Sequence, residues 1–421
     1  MEKILIKNFG PIRDLEFRID KQFNVIIGEQ ATGKSTLAKC IYFFKDVISE
    51  MSHMLVEQTE KLANMTAENI LQVYYVNAKK LFYLAFGRYS HHVNSEIYYF
   101  YSDERWAKIF VKNGEVQFKY DKNTENEIKR ILALYIGKIS DLKSDGEELL
   151  SLRVWRVLIE QLFSSEERRM FIPACRSRIT TILDTYTSKT TDIYLSALLE
   201  NIQAFKFFME TYSENDIDVS YLHKDVVPPD LHERIASLKK LKRMILKGDY
   251  KIDKEKMWIK LENGTQVPVE YGSSGQQESL WILNFLTMIM YSASSRFLII
   301  EEPEAHLYPK AQLELVKLIV LVANTTGSKV MITTHSPYIL SAFNILTYAG
   351  KVEKNNAQGI IPLSQRINSQ SLGAFKLENG LCCNIYNEEE GLINSEEIDT
   401  VSSEMNLLFD QLIDKECEEM R

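Results

Sequence analysis

Cysteine is scarce in these 421 residues: five, at Cys40, Cys175, Cys382, Cys383 and Cys417. No two stand as Cys-x-x-Cys, which argues against a zinc site or a dithiol redox motif. An odd, sparse set fits a reducing compartment. Long apolar runs are missing too. The best candidate, "LVKLIVLVAN", carries Lys317 and is about half of the ~20 residues needed to span a bilayer. The start, "MEKILIKNFG", has charges on both sides of a very short apolar run and does not read as a signal peptide. There is no excess of positive charge: 50 Lys and Arg stand against 58 Asp and Glu, a net −8. That argues against a protein that coats nucleic acid non-specifically, while leaving room for a local basic patch. The expectation is a cytoplasmic chain with no membrane partner.

What is present supports a folded chain. Hydrophobic residues make up 45% and aromatics 11%, enough for a sizeable core, and the length suggests about two to three domains. The first segment reads strand, strand, loop, helix: "EKILIKNFGPI" and "LEFRI" alternate, "FNVIIG" is a continuous apolar run, and "KSTLAKCIYFF" begins a helix. Residues 46–249 change character and read as a mainly helical insert. Within it "SEIYYFYSDERWAKIFVKNGEVQFKYD" predicts an antiparallel hairpin near 96–120, turned at Asn113-Gly114. A second strand pair turns at Asn263-Gly264. Then "RFLIIEE", "PKAQLELVKLIVLVANTTG" and "KVMITTH" make a strand–helix–strand unit, which points to a largely parallel sheet. A helix is expected to close the chain over residues 396–420. The division expected is a split head, 1–45 and 250–421, around the insert.

The segment "VIIGEQATGKSTL" places Gly28, four residues, then Gly33-Lys34-Ser35 between a strand and a helix. That is the setting of a Walker A loop, where consecutive backbone N–H groups and a helix N-terminus bind phosphate oxygens. Lys34 should reach the β- and γ-phosphates, Ser35 should ligate Mg²⁺, and Thr36 can donate to the α-phosphate. Gln30-Ala31 stands where many such loops have Asn-Gly, so position 31 is expected to avoid positive φ. In "FLIIEEPEAHL" a buried strand delivers Glu301 and Glu302 to its carboxyl end, where ligands of open parallel sheets sit. Glu301 would hold Mg²⁺ and Glu302 would take the proton of an attacking water. "VMITTHSPYIL" presents His335 at the same edge, able to bond a γ-phosphate oxygen or the water. "YGSSGQQESL" offers Ser273, Gly275 and Gln276 at a helix start. Read alone, it is an ordinary N-cap.

Together the four segments resemble an ATP-binding-cassette (ABC) ATPase over residues 1–45 and 250–345. Gly28 to Thr36 matches Walker A, Glu301 and Glu302 match Walker B with its catalytic glutamate, and His335 matches the switch histidine. Ser273-Ser274-Gly275-Gln276 matches the signature motif, with Ser274 in place of the first glycine. The large insert looks like the branch containing Rad50, SMC, RecF and the overcoming-lysogenization-defect (OLD) ATPases, and "IKNFGPIRDLEF" and "EEPEAHLYP" look OLD-like, or AAA15-like. The resemblance implies an α/β head with a mixed, largely parallel sheet and an antiparallel β subdomain. It also implies ATP and Mg²⁺ as cofactors, and a homodimer or higher oligomer in which each Walker A loop faces the other copy's Ser273. The family's Q-loop glutamine is not located; Gln161 and Gln203 lie in its territory.

Two further absences bear on function. The 86 residues after His335 hold no Asp-x-Asp, so an intrinsic TOPRIM nuclease, as in the OLD nucleases, is not expected. With no effector chemistry of its own, the chain is expected to control a separate effector, a nuclease or toxin. Stand-alone OLD-like ATPases resemble the ATPase halves of the anti-phage systems Septu and PARIS. The alternative is a DNA-repair ATPase of the RecF or Rad50 kind, with DNA as direct ligand. Leu231–Lys256 holds nine Lys or Arg against four Asp or Glu, and Arg168, Arg169, Arg176 and Arg178 cluster in "RRMFIPACRSR". These cations read either as a solvated face with ion pairs or as phosphate contacts.

Overall fold

The computed structural model describes residues 1–87, 94–112, 114–142, 148–163, 168–174, 228–253, 256–352 and 359–394, with positions 176, 194, 198, 199, 202, 407 and 410–412. The chain opens on a hairpin, β1 (Lys3–Phe9) and β2 (Ile12–Arg18), then β3 (Phe23–Ile27) and α1 (Lys34–Glu57). A short α2 (Thr59–Leu62) and α3 (Ala67–Phe86) lead to β4 (Glu96–Phe100), β5 (Trp106–Lys112) and β6 (Glu115–Tyr120). Next come α4 (Lys122–Leu142), α5 (Glu148–Leu162), β7 (Arg168–Ile172), α6 (Leu231–Leu246), β8 (Gly248–Asp253), β9 (Lys256–Leu261) and β10 (Gln266–Pro268). The last part runs α7 (Ser274–Ser292), β11 (Arg296–Glu301), α8 (Pro309–Thr326), β12 (Lys329–Thr334), α9 (Pro337–Lys351), β13 (Leu372–Glu378) and β14 (Leu381–Asn384), with a small pair β15 (Tyr386–Asn387) and β16 (Leu392–Ile393).

The central sheet has the order β14-β13-β3-β12-β11-β7. All its neighbours pair parallel except β14, which closes one edge antiparallel to β13. Its central strands β3, β11 and β12 are buried almost throughout because both faces are covered. Val25, Leu298, Ile300, Val330 and Ile332 enter one core, beneath α6, α7, α8 and α9. Ile26, Phe297, Ile299 and Met331 enter the other, against α1 and α3. Parallel pairing brings the carboxyl ends of β3, β12, β11 and β7 to one edge: Ile27 lies beside Thr334, Thr333 beside Glu301, and Ile300 beside Ile172.

The second sheet is antiparallel, in the order β2-β1-β4-β5-β6. It alternates in burial because only one face packs inward: Ile97 and Tyr99 are buried while Tyr98 and Phe100 are partly open. The expected domain division does not follow element ends. Helix α1 continues past residue 45 to Glu57. The strands at 96–120 are three, not two, and β4 pairs with β1. From the expected insert 46–249, β7 also joins the edge of the central sheet, beside β11. The turn at Gly264 joins β9 to β10 as expected, with φ +86°. Most of the closing helix expected over residues 396–420 lies outside the described residues. Among the described residues no helix is long and apolar enough to cross a membrane.

Candidate nucleotide site

Strand β3 delivers the phosphate-type loop and α1 receives it. Gly28 is required by packing, since a Cβ there would sit 2.4 Å from the Leu377 carbonyl oxygen of β13. Gly33 caps α1 at φ +106°. Ala31 also lies in the left-handed region, at φ +60°, which corrects the expectation that an alanine there would avoid positive φ. The loop must reverse direction within a few residues, and that demand overrides a local cost of about 1–2 kcal/mol. The Lys34 ammonium donates to the carbonyl oxygens of Gly28 (2.8 Å) and Glu29 (2.7 Å). Lys34 is 5% exposed. Burial lowers its pKa, opposed by the charges of Glu302, Glu304 and Glu301. Ser35 is exposed and Thr36 half-buried beside Gly10.

Strand β11 ends at Glu301, which is 4% exposed. One carboxylate oxygen accepts the Ala174 backbone N–H at 3.3 Å, and the Ser35 hydroxyl lies near enough to favour the charged form of the group. The other oxygen, Oε1, is buried with no partner. Burial raises the Glu301 pKa, against the nearby Ser35 hydroxyl and Lys39 charge. A hydroxyl beside a carboxylate oxygen that lacks a donor is a donor set suited to a hard divalent cation such as Mg²⁺, which takes one or two protein oxygens and completes its shell from phosphate and water. Among the described residues no cluster of three or more His, Cys, Asp or Glu could hold a metal by itself.

Glu302 follows at φ +44°, its N–H bonded to the Thr333 carbonyl at 2.8 Å. The His335 ring bridges the two motifs. Its Nε2 lies 3.4 Å from Glu302 Oε1 and its Nδ1 3.5 Å from Lys34 Nζ. With Nδ1 accepting from the Lys34 ammonium, the ring proton sits on Nε2, the edge that faces the Glu302 carboxylate. The structure thus gathers Gly28, Gly33, Lys34, Ser35, Glu301, Glu302 and His335 at one sheet edge.

Sequence reasoning missed Glu304. Its Oε1 accepts the Thr334 hydroxyl and the His335 backbone N–H, both at 2.7 Å. It ties the loop after β11 to the end of β12. The available signal was a third carboxylate two residues after Glu302, across Pro303, in "EEPEAH".

Ser273 caps α7 in a capping box: its Oγ accepts the Gln276 N–H at 3.4 Å, and Gln276 Oε1 accepts the Ser273 N–H at 2.9 Å. Gln276 also donates to the Leu246 carbonyl at 2.8 Å, so its side chain is engaged within the chain. A Cβ on Gly275 would sit 2.7 Å from the His306 carbonyl oxygen; the glycine lets α7 approach the loop after β11. Ser273 and Ser274 are exposed. Among the described residues Ser273 has no hydrogen bond to the loop 28–36.

The basic segments divide. Helix α6 buries Leu231, Ile235, Leu238, Leu241 and Ile245 as its spacing predicts. Arg234 bonds Asp230 at 2.8 Å. In "RRMFIPACRSR", Arg169 pairs with Asp46 at 2.8 Å and Arg176 is fully buried. For these two arginines an internal role replaces phosphate contact; Arg178 lies outside the described residues. Gln161 is exposed on α5, and Gln203 lies outside the described residues.

Comparison with known proteins adds a family. No curated protein matches the chain. Among solved structures, an SMC head bound to the C-terminal winged-helix domain of ScpA is 11% identical, covers 91% of this chain and 96% of its own, and has a TM-score of 0.44. The SMC head domain from Thermotoga maritima is 10% identical over 91% and 97%, with a TM-score of 0.35. A dimeric bacterial ABC transporter cassette is 11% identical over 90% and 96%, with a TM-score of 0.32. At these TM-scores the likeness carries no functional weight. The family match does, since it spans residues 1–340, from β1 through the Walker-type loop, Glu301, Glu302 and His335. The chain belongs to the AAA ATPase domain family AAA_15.

Proposed function

We propose that this ATPase works as a homodimer or higher assembly whose heads close on ATP and reopen on hydrolysis. The observation that carries the reading is the bridge Lys34–His335–Glu302, at 3.5 and 3.4 Å, across three segments far apart in sequence. Lys34, the loop N–H groups and Thr36 bind the triphosphate. Ser35 and Glu301 would hold Mg²⁺, which when bound neutralises phosphate charge. Glu302 accepts a proton from the attacking water, and His335 holds Glu302 in place beside the γ-phosphate. Ser273, exposed at the start of α7, serves the nucleotide held by the second copy, with Gly275 giving the close approach and Gln276 fixing the cap.

The released energy drives a conformational switch that controls a separate effector, a nuclease or toxin, in anti-phage defence. This last step rests on the OLD-like motifs. The test is ATP turnover with Glu302→Gln alongside. The variant should bind ATP, accumulate as a closed dimer in light scattering, and lose turnover by about 100-fold or more. Unchanged turnover in Glu302→Gln rejects the catalytic assignment. ATPase stimulation by DNA alone would favour the repair-type reading instead.

A further inference from the structure

Arg176 is the one arginine among the described residues that is fully buried. Its guanidinium is satisfied almost wholly by backbone. Its terminal nitrogens donate to the carbonyl oxygens of Pro173 (2.7 Å), Glu301 (2.6 Å) and Glu302 (2.9 Å). Its Nε donates to the Glu278 carbonyl at 3.1 Å and lies 3.4 Å from the Glu278 carboxylate. The Arg176 backbone N–H donates to the same carboxylate at 2.9 Å. Burial pushes the guanidinium pKa down, and the charges of Glu278, Glu304, Glu301 and Glu302 push it back up.

This geometry has a direction. Glu278 is on α7, five residues after the cap Ser273, about 7 Å along the helix axis. The Glu301 and Glu302 carbonyls are the backbone from which the two acidic side chains of the site project. Glu302 is held in the left-handed region, at φ +44°, a conformation that persists only where its surroundings impose it. Two of the forces that impose it are visible: the Thr333 carbonyl, bonded to the Glu302 N–H, and Arg176, bonded to the Glu302 carbonyl. The first belongs to the sheet. The second is anchored on α7. An arginine is suited to this task because its planar fork addresses several carbonyls at once, which a lysine cannot do.

We infer that Arg176 is a positioning residue that ties the backbone of Glu301 and Glu302 to α7, so that the seat of the helix whose N-terminus carries Ser273 sets the aim of the Glu302 carboxylate. The inference rests on the proposed roles of Glu302 and Ser273. It adds a route by which ligand contact at the start of α7 reaches the hydrolytic carboxylate inside the same chain, through Glu278 and Arg176.

The test compares Arg176→Lys and Glu278→Gln with the wild type in the full-length protein. Turnover is expressed per nucleotide-binding site, titrated with a fluorescent ATP analogue, and thermal unfolding is followed in parallel. Arg176→Lys should keep the Kd for the analogue within about threefold and lower kcat per site at least 30-fold. Glu278→Gln keeps an acceptor for the Arg176 N–H and removes only the charge. It should lower kcat per site about fivefold with a cooperative melt retained, so the proposal stays testable if Arg176→Lys does not fold. A purely structural arginine predicts a lowered melting temperature and fewer titratable sites with unchanged kcat per site, and that result overturns the inference. If the wild type turns over and Glu302→Gln does not, yet both variants match the wild type per site, only this inference fails. A wild type without turnover takes the proposed roles down with it.

Discussion

The Glu304 carboxylate accepts the backbone N–H of His335 at 2.7 Å, and the hydroxyl of Thr334 at the same distance. Two strand ends are thereby stitched together, and the His335 ring is aimed back across the site at Glu302 and Lys34. Removing the acceptor leaves two buried donors unpaired, at about 1–3 kcal/mol. Glu304→Ala should therefore lower kcat about 10- to 100-fold and lower stability measurably. Glu304→Gln, which keeps a carbonyl acceptor, should stay within about fivefold of wild type. Steady-state ATPase assays with urea unfolding check both; an alanine variant with normal kcat would leave His335 without need of this anchor.

Ala31 at φ +60° makes the loop a test of backbone strain. Ala31→Gly relieves the left-handed cost but gives back backbone entropy, so the net gain in stability should be between about 0 and 1 kcal/mol, with ATP binding kept. Ala31→Val adds a β-branch at a positive φ and should destabilise by more than about 1 kcal/mol and weaken ATP binding. Urea midpoints and fluorescent-nucleotide titration give the comparison. A valine variant that binds ATP as tightly as wild type would show that the loop can adopt another path.

Much of this was legible in the sequence, and the failures have physical causes. Strands β3, β11 and β12 read correctly because burial on both faces leaves an unbroken apolar run, and their parallel pairing brings Lys34, Glu301 and His335 together. Local rules failed at Ala31, where loop closure outweighs the preference of a single residue. They also failed at Arg176, whose place in a run of cations gave no hint that its partners Glu278, Glu301 and Glu302 lie more than a hundred residues away. The strands at 96–120 were readable as strands. Their docking onto β1 was not, because that pairing joins Leu5 to Tyr98 across a stretch that no local pattern spans.

The raised pKa of Glu301 gives a pH signature. Its folded-state value lies above the unfolded one, so the folded state binds the extra proton between the two. Stability contributed by this group is present below the ordinary carboxylate value of 4.5 and is lost as pH rises through the folded pKa. Glu301→Gln should remove that slope, so the variant gains on the wild type as pH is raised above this value. With Mg²⁺ and ATP added the order should reverse, because a cation on the deprotonated carboxylate stabilises only the wild type. Urea midpoints against pH, with and without Mg²⁺-ATP, measure both. Parallel pH profiles for the two proteins would contradict the burial argument.

Ser273 and Lys34 give the sharpest test of the shared site. Ser273→Ala loses its capping bond at a cost of about 1 kcal/mol, a modest effect on folding. Its effect on turnover should be far larger if Ser273 serves the partner's nucleotide. Ser273→Ala and Lys34→Ala homodimers should each be inactive, every site lacking one component. In an equal mixture about half of the dimers are mixed, and each of these has one complete site, so activity should recover to about a quarter of wild type if single sites turn over independently. Obligate coupling between the two sites would hold the mixture near zero while ATP-driven dimerisation persists. A Ser273→Ala homodimer that turns over ATP at close to the wild-type rate would mean that Ser273 does no more than cap α7.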